Sequence, residues 1–362
     1  MTSRSEPAAG RRALVVGTGL IGGSLGMALR ARGWHVSGED ADAERVAQAL
    51  ARGAVDAVGH DPTAAVAVVA TPAGAVPSTA RRLLAAGRRD LVVTDVSGVK
   101  AQLVAAIDHP RFVGGHPMAG SEQAGIAGAD PDLFTGATWV LTPTPSTDLT
   151  AFSALQEIVT SLGADVVALS PSDHDRLVAV VSHVPHLVAA TLMNAAADDA
   201  EHDGALLRLA AGGFRDMTRV AAGHPDIWPD ICAENAEAIV AALDHVLGDL
   251  AAMRERIASM DRNGLLDVLE RASIARRSLP ARATRPDSLA ELRVPVPDRE
   301  GVLSEITTLA GDLGINIYDI EIAHSAEGRR GVLTIVVDAT TAPRLRSAID
   351  GRGYRSTVQV LS

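Results

Sequence analysis

The chain has 362 residues, 47% of them hydrophobic and 21% charged, with 33 Lys and Arg against 44 Asp and Glu for a formal net charge of −11. That length exceeds one typical domain, and the acidic balance argues against nucleic acid or an anionic membrane surface as a partner. The single cysteine, Cys232, excludes an internal disulfide framework and fits a reducing, cytoplasmic setting. The N-terminal "MTSRSEPAAGRR" lacks the apolar core of a signal peptide, and apolar runs such as "AAVAVVA" are too short to span a bilayer, so a soluble protein is expected.

From Arg11 to about Ser170, short β-branched runs alternate with helical stretches: "ALVVG", "WHVSGED", "AVAVVATP", "LVVTDVSG", "RFVGGH", "TWVLTP" and "ADVVALS". Most are continuously apolar, as strands buried on both faces of a mainly parallel sheet are. The pattern predicts a doubly wound α/β domain over residues 11–170. Within it, "VVGTGLIGGSLG" places Gly17, Gly19 and Gly22 in GxGxxG register between strand and helix, with Leu20 and Ile21 opening the helix. Gly17 permits the tight turn, Gly19 admits a pyrophosphate, and Gly22 lets helix and strand pack closely. A glycine-rich turn without nucleotide would read the same in isolation; here strand, helix and a downstream acid agree. That acid is in "HVSGED", where Asp40 follows Glu39 and can accept hydrogen bonds from an adenosine ribose. The next arginine is Arg45, so NAD is expected rather than NADP. Thr71 and Pro72, closing "AVVATP", stand where a strand end contacts the cofactor or simply turns into a helix.

Further on, "FVGGHPMAGSE" ends a strand in two glycines and sets His116 directly before Pro117. On its own, that histidine is either a reacting group or a strand-end residue.

Over residues 171–282 strand signals vanish and helical periodicity dominates. In "SPSDHDRLVAVVSHVPHLVAA", Asp175, Ser182 and His186 share one face at about 100° per residue, and Pro185 should kink the helix. The stripe reads equally as function or as hydrogen-bonded core. His183 and His186 would give a metal two ligands, but no third is placed, so no metal is expected. "GGFRDMTRVAAGHPDIW" sets Arg215 and Arg219 at i and i+4 before Trp228. They are either solvated surface or donors for a carboxylate. "RRSLPARATRPDS" reads as a linker, and residues 288–362 as a ferredoxin-like βαββαβ domain.

Together "GTGLIGGSLG", "DVSGVK", "GGHPMAGSE", "HDRLVAVVSHVPH" and "GGFRDMTR…W" resemble, in order, the motifs of the prephenate dehydrogenase family of tyrosine biosynthesis. The resemblance implies a Rossmann domain, a helical dimerisation domain and NAD-dependent oxidative decarboxylation of prephenate to 4-hydroxyphenylpyruvate. It makes His116 the catalytic proton acceptor and Arg219 the donor to a prephenate carboxylate. Ser182, His186 and Ser121 match pocket positions, with Trp228 and Arg215 at the edge. One position departs: many relatives read Asp-x-Gly-Ser-Val-Lys, whereas here Ser97 precedes Gly98. Ser97 is expected to reach the histidine through a changed turn.

The C-terminal segment "VPVPDREGVLSEITTLAGDLGINIYDIEI" is similar to ACT domains, which bind amino acids between paired copies. Asp298, Gly301, Val302, Leu303, Asn316 and Ile317 resemble such a ligand site, with tyrosine the expected effector, unless the domain only dimerises. A homodimer is expected. The rivals are an arogenate dehydrogenase, in which Glu122 would pair with the ammonium, and a non-catalytic tyrosine sensor. A third, a β-hydroxyacid dehydrogenase, relies on a lysine in the helical domain, whereas Lys100 is the only lysine here.

Overall fold

A computed structural model describes residues 11–120, 123, 125–202, 209–223, 225–278, 289–297, 299–324 and 330–360. The chain divides into two compact units, residues up to 187 with 223–246, and residues 188–222 with 247 onward.

In the first unit eight strands form one sheet: β1 (Arg12–Val16), β2 (His35–Glu39), β3 (Ala57–Val58), β4 (Val66–Val69), β5 (Val92–Asp95), β6 (Phe112–Pro117), β7 (Thr138–Thr142) and β8 (Asp165–Ala168). Their order is β3-β2-β1-β4-β5-β6-β7-β8, and every pair is parallel except β6 with β7. Five helices connect them: α1 (Leu20–Arg30), α2 (Ala43–Ala51), α3 (Val76–Ala86), α4 (Ala101–Ile107) and α5 (Leu149–Ser161). The doubly wound reading holds, with one strand more than the sequence suggested. Two residues of β3 are too few to give a periodic signal.

Side chains in a strand alternate between the two faces, and both faces of this sheet are covered. Ala13 and Val15 of β1, with Val66 and Val68 of β4, pack in one core with Leu25 and Leu29 of α1 and Leu155 of α5. Their neighbours Leu14, Val16, Ala67 and Val69 face the other core, with Leu83 of α3 and Leu103 of α4. Burying each large aliphatic side chain contributes roughly 1.5–3 kcal/mol, so strands apolar at every position are what this architecture requires.

After β8, Ser170 caps α6 (Pro171–Val178) by accepting from the Asp173 N–H. A π-helical turn, Ala179–His183, then leads without a break into α7 (Val184–His202). Where the sequence leads one to expect a kink at Pro185, the helix widens, which accommodates the missing N–H and the ring. The run from Pro171 to Asp199 is long and apolar enough to cross a bilayer by length and composition. Its buried His174, Asp175 and His183 instead make hydrogen bonds within the first unit.

The second unit takes the chain through α8 (Gly212–Thr218) and a 3-10 turn, Arg219–Ala222. The chain returns to the first unit in α9 (Trp228–Glu234) and the start of α10 (Ala236–Ala258), then continues in α11 (Arg262–Arg277). Arg276 and Arg277, expected in the linker, are helical; residues 279–288 lie outside the described ones. The remaining elements are β9 (Leu289–Pro297), α12 (Val302–Asp312), β10 (Ile317–His324), β11 (Arg330–Asp338), α13 (Ala342–Gly351) and β12 (Thr357–Val360). They form the expected βαββαβ succession, an antiparallel sheet in the order β10-β11-β9-β12. One face of it packs Leu292, Val294, Leu333 and Ile335 against Ile306 of α12 and Leu345 of α13.

Candidate active site

The first element of the site is the loop from β1 to α1. Gly17 has φ +95°, and a Cβ there would lie 2.3 Å from the Ala70 carbonyl oxygen; one on Gly22 would lie 1.9 Å from the Gly17 carbonyl oxygen. A Cβ on Gly19, by contrast, would meet nothing within 4 Å. Gly19 is also the N-cap of α1 and offers no capping side chain, so the first N–H groups of the helix stay open for a phosphate. Asp40 is held rigidly behind the loop: its carboxylate accepts from the Thr18 N–H (2.7 Å) and hydroxyl (3.1 Å), and from the Asp42 N–H (3.0 Å). Burial pushes its pKa up, but those hydrogen bonds and the charge of Arg45 outweigh burial and hold it below the usual carboxylate range. The shielded Thr71 hydroxyl, in the β4–α3 turn that Pro72 leads into a 3-10 turn, has no hydrogen-bond partner among the described residues. An open glycine cradle, an ionised acid at the end of β2 and an orphaned hydroxyl at the end of β4 fit a dinucleotide.

His116 lies near the end of β6, beyond the residues that pair with β5 and within those that pair with β7. Its backbone is drawn close to β5 by Gly115, where a Cβ would lie 2.7 Å from the Asp95 carbonyl oxygen. The half-buried imidazole has distinct surroundings at its two nitrogens. Nδ1 lies 2.8 Å from Nε2 of the fully buried His174, whose Nδ1 lies 2.7 Å from an Asp175 carboxylate oxygen. The Nε2–Cε1 edge of the ring faces Gly98, where a Cβ would sit 3.9 Å from each of the two atoms. Asp175 in turn caps α4, accepting from the Lys100 and Ala101 N–H groups at 2.8 Å each. Burial pushes the His116 pKa well below its ordinary value, helped by the positive charge of Lys100 and by His174 and His183.

Beneath this dyad is a fully buried ion pair, Lys100 with Asp95. Asp95 also accepts from the Gly115 N–H (3.1 Å) and the Ser97 N–H (2.9 Å). Those contacts correct the expectation for Ser97: its hydroxyl is buried without a hydrogen-bond partner among the described residues and does not bond to His116. Asp95 pins the turn through the Ser97 backbone, which leaves glycine as the residue facing the histidine.

The helical wall also differs from the stripe drawn at a constant 100° per residue. The π-helical turn shifts the phase between Asp175 and His186, so His183, rather than the half-buried Ser182, points inward. Asn235 donates to the Asp175 carbonyl (2.9 Å) and lies 3.2 Å from His183 Nδ1. His186 stacks on Trp228, with ring centroids 3.7 Å apart and planes at 16°, while His183 meets the edge of the same indole. Burial lowers the pKa of both histidines, His183 despite the opposing charge of Asp175.

Arg215 and Arg219 are exposed in the second unit. They do not share a continuous helix face, because α8 ends at Thr218 and Arg219 opens the 3-10 turn. Ser121 and Glu122 lie outside the described residues, as does Asp298. Of the proposed effector positions, Gly301 caps α12 with φ +86°, and Val302 and Leu303 line a cavity of about 80 Å³ with Arg299. Asn316 and Ile317 do not line it. Sequence reasoning missed His174, Asn235 and the capping role of Asp175. The one signal available was the adjacent His174-Asp175 pair in α6.

Residues 25–168 match the family model for the prephenate dehydrogenase nucleotide-binding domain, and residues 170–271 the model for its dimerization domain. The chain belongs to the prephenate dehydrogenase family. The prephenate dehydrogenase of Bacillus subtilis is 34% identical over 336 residues, covering 89% of this chain and 91% of that protein. Prephenate dehydrogenase from Aquifex aeolicus, solved in complex with hydroxyphenyl propionate and NAD+, superposes with a TM-score of 0.70 at 29% identity, over 76% of this chain and 100% of that one. Synechocystis arogenate dehydrogenase superposes with a TM-score of 0.66 at 34% identity, over 73% and 98%. The protein is an NAD-dependent dehydrogenase of tyrosine synthesis, and the generic β-hydroxyacid reading falls away.

Proposed function

We propose that the protein oxidises prephenate in preference to arogenate, and that tyrosine regulates it through a C-terminal ACT domain. The observation that carries the chemistry is His116, with Nδ1 held by His174 and Nε2 facing Gly98. Bound NAD supplies the hydride acceptor for C4 of the substrate. His116 takes the C4 hydroxyl proton at Nε2; the ring carboxylate then leaves as carbon dioxide, and aromatisation makes the step strongly downhill. General-base help of this kind is worth roughly 10²–10⁴-fold. Burial, helped by the neighbouring charge of Lys100, disfavours the protonated imidazole.

The preference for prephenate rests on His186. Stacked on Trp228 and with its pKa lowered by burial, it presents a neutral N–H donor suited to a keto-acid side chain. From the family resemblance, Arg219 is assigned to a substrate carboxylate, and Ser182, Ser121 and Arg215 to substrate binding. The likeness to Synechocystis arogenate dehydrogenase supports a second reading, in which Glu122 pairs with the ammonium of arogenate. Initial rates of NADH formation decide between them. A kcat/KM for prephenate at least about tenfold that for arogenate supports the first reading, and the reverse supports the second.

The βαββαβ unit and the cavity at the Gly301 turn support an ACT domain. That cavity is far below the roughly 300 Å³ of a small-ligand pocket, which agrees with an effector site shared between paired copies, as the resemblance to ACT domains implies. A homodimer agrees with the match to the dimerization domain. If saturating tyrosine changes neither activity nor melting temperature, the regulatory reading fails. A cytoplasmic location accords with the free Cys232.

A further inference from the structure

We infer that His174, backed by Asp175, is a positioning residue that fixes the tautomer of His116. This rests on reading His116 as the proton acceptor.

The inference follows from counting donors and acceptors along three side chains. Asp175 accepts from the Lys100 and Ala101 N–H groups at the start of α4. Burial pushes its pKa up, yet its hydrogen bonds hold it below the usual carboxylate range. An ionised carboxylate only accepts, so the His174 nitrogen 2.7 Å away, Nδ1, carries a proton. If that is the only proton on His174, its lone pair is on Nε2, which lies 2.8 Å from His116 Nδ1. That contact is a hydrogen bond only if His116 Nδ1 is the donor, and this leaves the lone pair of His116 on Nε2. Nε2 is the nitrogen that faces Gly98. The opposite tautomer of His116 would set two lone pairs against each other and offer the substrate a donor in place of a base. Complete burial of His174 locks the arrangement, and Asp175 ties it to the backbone of α4.

The test uses the full chain with labelled histidine and reads the tautomer directly from long-range proton–nitrogen NMR correlations, with His116→Ala identifying the His116 signals. The expected result at neutral pH is a proton on His116 Nδ1 and a bare Nε2, in the absence of any substrate. A proton on Nε2 overturns the inference whatever the enzyme turns over, so its failure is distinct from a wrong substrate assignment. Two variants extend the test. His174→Gln keeps an oxygen acceptor toward His116 and an N–H donor toward Asp175, and is expected to retain the Nδ1–H tautomer and kcat within about fivefold. His174→Phe keeps the bulk without the acceptor, and is expected to lose at least about tenfold in kcat with KM for NAD unchanged, and to show mixed tautomers. If His174→Phe folds and retains wild-type kcat and a pure Nδ1–H signal, the role is refuted. If it does not fold, the wild-type tautomer and His174→Gln decide.

Discussion

His116 and His174 are 58 residues apart in sequence, yet their ring nitrogens lie 2.8 Å apart, joining the β6 strand to the helix that follows the sheet. Three groups converge there on one imidazole: a positive charge from Lys100, a hydrogen-bond acceptor from His174 and a glycine on the open side.

The first consequence concerns pH. Burial and the Lys100 charge disfavour the imidazolium of His116 in the folded protein. The imidazole therefore stays neutral as pH falls past about 6.5, the unperturbed value. kcat/KM is expected to be level from about pH 8 to 6.5 and to fall only below that. Stability shifts in the same direction: below about pH 6.5 the unfolded chain takes up the proton that the folded one refuses, so stability declines as pH drops through that window. A rate profile with its acid limb at or above about pH 7 would contradict this.

The buried pair of Lys100 and Asp95 ties α4 to β5 and, through the Gly115 N–H, to β6. Lys100→Met leaves the Asp95 carboxylate buried without its counter-charge. It is expected to destabilise the protein by about 3–5 kcal/mol in chemical unfolding, and Asp95→Asn added to it should recover part of the loss. A single variant as stable as wild type would show that the pair is not structural.

Ser97 presents the opposite case. Its hydroxyl is buried and has no partner among the described residues, so Ser97→Ala is expected to keep kcat within about twofold and to hold or raise stability by up to about 1 kcal/mol. A loss of more than about tenfold in kcat would return Ser97 to the catalytic machinery.

What could be read from the sequence was local. The run of apolar residues in β1 announces a strand covered on both faces, and Gly17, Gly19 and Gly22 mark the cradle because backbone geometry alone demands them. His116 stood out by its position at a strand end. His174 did not, because its role depends on a strand far away in sequence. The π-helical turn defeated the face assignment of Ser182, since no sequence rule at constant pitch anticipates one extra residue in a turn. Gly98 beside Ser97 showed that a hydroxyl was missing on one side of His116 without showing the imidazole that meets its other nitrogen.

The most direct test of the central claim, that His116 is the proton acceptor, is NADH formation from prephenate by His116→Asn beside wild type, with NAD binding measured on both. The account predicts a loss in kcat of roughly 10²–10⁴-fold with the Kd for NAD held within about threefold. A variant that keeps kcat within about tenfold of wild type while binding NAD normally would contradict it.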